Sequence, residues 1–297
     1  MLLALPACST TGGTEPMLAP AAPAVTLERV ETTGPALWKV ADEDTTIYMF
    51  GTVHILPKEK QWLTPAVSQA LSSSDVMVTE ILAAEMGDAA MQQKMMQLGM
   101  LPQGQTLRGL LTDEQRATYD DALQKLGMPV AAFDQFKPWM AAITLAVLPL
   151  LQQGYDPDAG VEKALEAAAG PDLERGALET VEQQIAIFDS MPQAAQIAYL
   201  VETAQEAENI KPMLDRMVAA WAAGDAETLA SIMNEGLESS PQLAEDLLYE
   251  RNRNWAEWID RRLDQPGTVF MAVGAGHLAG EKSVQDYLLQ QGIAAAQ

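Results

Sequence analysis

The chain has 297 residues, of which 48% are hydrophobic and 20% charged, enough to bury a full core without disulfide staples. Its 41 Asp and Glu against 18 Lys and Arg give a formal net charge of −23, and with no basic stretch anywhere nucleic acid is excluded as a partner. One cysteine and two histidines exclude zinc fingers, iron–sulfur cages and any site needing three imidazoles, so the chemistry must be built from carboxylates and two histidines.

At the N-terminus, Leu5-Pro6-Ala7-Cys8 follows a short apolar start. It resembles the end of a bacterial lipoprotein signal, in which Cys8 would be lipidated. Pro6 is unusual there and no Lys or Arg lies upstream, so residues 1–34 read as a truncated signal followed by a tether. Ser9 to Val25 is mostly Ser, Thr, Gly, Pro and Ala, a composition that cannot form a core. The domain is expected to occupy residues 35–297. The longest apolar run, Trp139 to Leu151, is too short to cross a bilayer and contains Pro149, so it predicts a buried helix. Together these features predict a cell-envelope protein, periplasmic or held at the membrane by a lipid anchor only.

Ala36 to Ala41 alternates weakly, and Thr45 to Gly51 is a nearly continuous apolar and β-branched run, which predicts a strand covered on both faces. A helix is expected over Leu63 to Ser73, with Thr64 and Pro65 in its first turn, and a second buried strand over Asp75 to Ile81. Strand, helix and strand in so short a span have the size of a βαβ unit. Helical insertions are expected at about 84–153 and 184–264. Asp172 to Leu178 reads as a third strand, Thr180-x-x-Gln183 as a capping box, Thr268 to Gly274 as another buried strand and Glu281 to Gln291 as a closing helix. The pattern predicts an α/β fold: a mixed, largely parallel sheet with an extensive helical layer and a site at the carboxyl ends of the strands.

His54 and His277 each lie three residues after a glycine, Gly51 and Gly274, that ends a buried strand. With glycine at its frequency here, the chance of both matches is about half a percent. Such a glycine lets the backbone turn off the strand and come close to a bound group, and the ring can project over the carboxyl edge of the sheet. Glu80 ends the second strand; if that strand lies parallel beside the first, its carboxylate reaches the same edge. Two imidazoles and a carboxylate suffice as the ligands of a divalent metal that keeps positions open for water.

These segments resemble a known family. Leu37-Trp38-Lys39-Val40, Phe50-Gly51-Thr52-Val53-His54-Ile55-Leu56-Pro57, Val78-Thr79-Glu80, Gly154-Tyr155-Asp156-Pro157, Leu178 to Gln183, Glu250-Arg251-Asn252 with Trp255, and Val273 to Gly280 are similar to the TraB/GumN family. That family includes the Tiki metalloproteases and is related in fold to ChaN-like and erythromycin-esterase-like proteins. The resemblance implies a metal-dependent hydrolase, and its Tiki members imply a peptide or protein substrate.

In the helix expected from Gln242 to Asp264, a repeat of about 100° per residue puts Arg251 inside the apolar stripe and Arg253 on the opposite face. A buried Arg needs an anionic partner, supplied either by a structural acid or by a substrate carboxylate or developing oxyanion. Asp156 before Pro157 has the order of an N-cap and first-turn proline, and stays a secondary site candidate with Glu179. The expected assignment is therefore a hydrolase of peptide bonds. Its metal (Mn, Co or Zn) is held by His54, His277 and Glu80, with Glu80 also a candidate general base, Arg251 orienting the substrate and Asn252 assisting. The alternatives are a non-catalytic metal- or haem-binding envelope lipoprotein and a metal-dependent esterase.

Overall fold

A computed structural model describes residues 25–82, 84–85, 89–237 and 241–295; the proposed lipidation residue Cys8 lies outside them. Among the described residues nine strands form: β1 (Thr26–Val30), β2 (Leu37–Ala41), β3 (Thr45–Thr52), β4 (Leu56–Pro57), β5 (Val76–Thr79), β6 (Tyr155–Asp156), β7 (Glu174–Ala177), β8 (Gly267–Gly274) and β9 (Ala294–Ala295). Seven of them make one mixed sheet in the order β7-β5-β8-β3-β2-β1-β9, and β4 pairs with β6 in a separate ribbon. Within the seven-stranded sheet β1–β2 and β2–β3 are antiparallel and the other neighbours run parallel; β4 and β6 are antiparallel.

The central strands are apolar on both faces because both faces are covered. Phe50, Phe270 and Ala272 point to one side, where Trp62, Leu71 and Trp221 pack on them. Ile47, Met49, Val269 and Met271 point to the other, against Trp255, Ile259, Leu263 and Leu288. A third core lies away from the sheet, where Ala142 and Leu145 of helix Pro138–Gln152 pack with Tyr119, Leu123 and Leu200. Both expected helical insertions contribute to this third core, and the later one also covers both faces of the sheet, through Trp221 on one and Trp255 on the other. Among the described residues no helix is long and apolar enough to cross a membrane.

Three expectations need correction. The sheet begins upstream of residue 35, because β1 pairs along the whole of β2. β5 does not lie beside β3: β8 inserts between them, parallel to both. All three still end at the same edge. The helix expected from Gln242 forms but is not α-helical throughout, since Pro241–Ala244 leads into a π-helical turn, Glu245–Tyr249, and then into helix Glu250–Leu263. Such a turn shifts the phase of a helix, and π-turns recur at functional sites.

Candidate functional site

Register fixes the two histidine loops side by side, since Gly51 pairs with Val273 and Thr52 with Gly274. Neither glycine is required by a left-handed backbone, because neither has positive φ. Both are required by close approach. A Cβ on Gly51 would stand 2.9 Å from the Cα of Ala275, and one on Gly274 would stand 3.1 Å from Glu80 Oε1. The sharp turn expected at these positions is therefore replaced by tight packing of one loop on the other.

His54, Glu80, Arg251 and His277 all line one open cavity of about 460 Å³ at the carboxyl edge of the sheet. Glu80 is held from three sides: it accepts from Gly274 N at 2.7 Å, Gln184 Nε2 at 2.8 Å and Arg251 Nη2 at 2.6 Å. Burial by itself raises its pKa. Coupling to the His277 ring and the charge of Arg251, then that of His54 and the Gly274 N–H, outweigh burial and lower the pKa to about 2. A carboxylate so stabilised is a weak base, which argues against the expected general-base role for Glu80.

His277 is buried at 4% exposure. Its Nδ1 donates to Asn252 Oδ1 at 2.5 Å, while Asn252 Nδ2 donates to the Lys282 carbonyl at 2.8 Å and so fixes the amide's orientation. The ring is thereby the Nδ1–H tautomer, and its Nε2 accepts from Arg251 Nη1 at 3.0 Å. Burial first, and then the positive charge of Arg251 and His54 against the opposing Glu80, lowers its pKa to about 3. The imidazole is neutral at pH 7. Trp255 packs on it at a ring separation of 4.3 Å.

His54 differs in exposure and charge. Its side chain is 60% exposed because it faces the open cavity, yet its Nδ1 donates to the buried Glu162 Oε1 at 2.6 Å. Partial desolvation lowers the ring's pKa; the hydrogen bond and charge of Glu162, with Glu80 beyond, more than reverse this and raise it to about 9. Glu162 was not expected as a site residue. The segment matching Gly154 to Pro157 brings it there: β6 pairs with β4, Asp156 caps the turn Pro157–Ala159, and Val161 N donates to the Val53 carbonyl at 3.0 Å. Gly160 allows that approach, as a Cβ there would lie 2.4 Å from the His54 carbonyl oxygen. Asp156 is thus a capping residue, away from the cavity lining.

Arg251 sits on the buried stripe, 11% exposed, and Arg253 faces outward to Glu245. All of its N–H groups are engaged: Nε and Nη2 grip Glu179 at 2.8 and 2.9 Å, Nη2 also reaches Glu80, and Nη1 reaches the Leu247 carbonyl and His277. The expected substrate-orienting role is corrected accordingly, because no donor is left for a substrate. Arg251 instead ties Glu179, Glu80 and His277 together, and Trp255 Nε1 also donates to Glu179 at 3.1 Å. Asn252, buried behind His277, likewise positions the ring without reaching the cavity. Gln184, which bridges Glu80 and Glu179, was missed along with Glu162.

The ring nitrogens test the fit of a divalent metal. A buried partner takes Nδ1 of each imidazole and leaves Nε2 as the donor, the arrangement by which second neighbours orient metal-binding histidines. The Glu80 Oε1 lies 3.9 Å from His277 Nε2. Among the described residues, however, no three His, Cys, Asp or Glu side chains are gathered as ligands, and Arg251 already occupies hydrogen-bonding positions on both His277 and Glu80. The donor set fits such an ion in kind, and Arg251 must release His277 for it to bind.

An α/β sheet with paired strand-end histidines over its carboxyl edge defines the class. The TraB/PrgY/gumN family model matches residues 36–297, and the chain belongs to that family. Neither the curated proteins nor the solved structures contain a match to this chain.

Proposed function

We propose that this protein is a metal-dependent hydrolase of peptide bonds. The observation that supports this reading is that two imidazoles with their Nδ1 atoms fixed by buried partners, and one carboxylate, face the same open cavity. His54, His277 and Glu80 would hold the ion, which when bound supplies Lewis acidity toward a carbonyl and acidifies water. Glu162 holds the His54 proton at Nδ1, so that the proton surrendered on ligation comes from Nε2. Asn252 likewise holds the His277 proton at Nδ1, so that its Nε2 carries none, and Arg251 keeps Glu80 ionised. The Leu5 to Cys8 segment supports an envelope location with a lipid anchor.

One observation favours a second reading. The contact of Arg251 with His277 leaves the site complete without an ion, and the His54–Glu162 pair, whose imidazole holds a proton at neutral pH, is equipped for general acid–base hydrolysis of an ester. Metal analysis of the purified protein, with a peptide library and ester substrates assayed after chelation and after adding Mn²⁺, Co²⁺ or Zn²⁺, separates the two. Peptide cleavage that requires added metal and is lost in His54→Ala and His277→Ala supports the hydrolase reading. Turnover of esters alone, unaffected by chelation, overturns it.

A further inference from the structure

The polar groups occupy only one end of the cavity. Its remaining wall comes from the helical layer: Met213 and Met217 of helix Ile210–Ala222, Ile232 and Met233 of helix Ala226–Leu237, and Leu247 and Leu248 of the π-helical turn. None of these six carries a charge or a hydrogen-bonding group beyond thioether sulfur. The wall is joined to the site through the backbone as well as in space, because the Leu247 carbonyl anchors Arg251 at 2.9 Å. Met233 also lies over Gly276, the residue before His277, close enough that a Cβ there would stand 2.1 Å from its methyl carbon.

We infer that this wall is a subsite for a large apolar side chain of a peptide, next to the bond presented to His54 and His277. The inference rests on the hydrolase reading and specifies its substrate class. A cavity of about 460 Å³ falls within the ~300–1,000 Å³ of small-ligand sites, which pair apolar walls with a few convergent polar groups. Here the polar end suits a peptide backbone, and the wall offers an acidic or amide side chain nothing in return for its lost water. Three methionines make the wall polarizable and adaptable, so it accepts Leu, Met or Phe in preference to a single shape. Met213 and Met217 are partly exposed on this wall, and an apolar occupant covers them.

The test uses binding and turnover on the full chain. Methyl-¹³C methionine NMR, with Met213, Met217 and Met233 assigned through single Met→Leu variants, is recorded with blocked dipeptide amides carrying Leu, Ser or Asp and with octanoylglycinamide. The Leu peptide should shift these three methyl signals, and the Ser and Asp peptides should not. Met217→Gln, whose folding is checked by its melting curve, should weaken the Leu peptide by about tenfold, the scale on which apolar pockets discriminate. Absence of Leu-peptide binding, equal shifts by Leu and Ser, or binding of octanoylglycinamide alone overturns the subsite. Leu-selective binding without turnover leaves the subsite standing and removes the hydrolase reading. Turnover without apolar preference does the reverse.

Discussion

Glu162 lies beneath His54 with its Oε1 2.6 Å from the imidazole Nδ1, and the carboxylate is buried while the ring faces open space. The ring's charge state is therefore set by a residue that lines no part of the cavity. Replacing Glu162 with Gln keeps a hydrogen-bonding oxygen and removes the charge. Without that partner the ring loses the main cause of its upward shift, and the His54 pKa should fall from about 9 toward its ordinary 6.5. Imidazole NMR titration of Glu162→Gln checks this; a pKa that stays near 9 would mean that Glu162 does not control the ring.

The two histidines also set opposite limbs of the pH–stability curve of the metal-free protein. The His277 pKa is depressed in the folded state, so its contribution is complete above 6.5 and is lost as pH falls from 6.5 toward 3. Glu80 adds loss in the same direction, from 4.5 down through 2. His54 is raised, so its contribution is complete below 6.5 and is lost as pH rises through 9. Stability should peak near pH 6.5 in urea titrations, with an acid limb from His277 no steeper than about 1.4 kcal/mol per pH unit. His277→Gln should flatten the acid limb and His54→Gln the alkaline one.

The central strands were legible in the sequence because both of their faces are buried, so Thr45 to Gly51 and Thr268 to Gly274 read as continuous apolar runs. Their end residues carried the site with them, since His54, Glu80 and His277 need only strand direction to be placed at one edge. The capping box at Thr180 was equally local, and both of its hydrogen bonds form. Glu162 was not legible. It sits in the first turn of helix Val161–Ala168, where an acid is ordinary on helix-dipole grounds alone, and only the docking of Gly160 on His54 gives it a second role. The commitments of Arg251 were hidden for a similar reason: periodicity shows that a cation faces inward, not how many acceptors await it.

Close packing at the two glycines makes a separate prediction. In Gly51→Ala the new methyl meets the Ala275 backbone, which cannot move without shifting the His277 loop. Overpacking of this kind costs typically about 1–3 kcal/mol. Gly154→Ala is the contrast: nothing lies near its Cβ, and its φ of +92° alone makes the change unfavourable. Thermal unfolding of both variants, with the Trp fluorescence of Trp255 beside His277 as a local probe, should show disturbance at the site for Gly51→Ala only.

Arg251 and Arg253 lie on the same helix and differ in everything that determines the cost of losing them. Arg253 meets Glu245 in solvent, and Arg253→Ala should change stability by no more than about 0.5 kcal/mol. Arg251 joins two buried carboxylates to an imidazole, and its planar fork makes two contacts to Glu179 that an ammonium cannot reproduce together. Removing one partner of a buried ion pair costs about 3–5 kcal/mol. Arg251→Met should approach that figure, and Arg251→Lys, which keeps the charge, should cost less. The lysine cannot span Glu179, Glu80 and His277 at once, so the His277 Nε2 loses its donor and becomes free. On the metal reading, Arg251→Lys should therefore bind Zn²⁺ or Mn²⁺ at least as tightly as the wild type while being less stable without the ion. Calorimetric titration of the metal into both proteins decides this, and weaker binding by the lysine variant would show that Arg251 supports the metal site rather than occupying it.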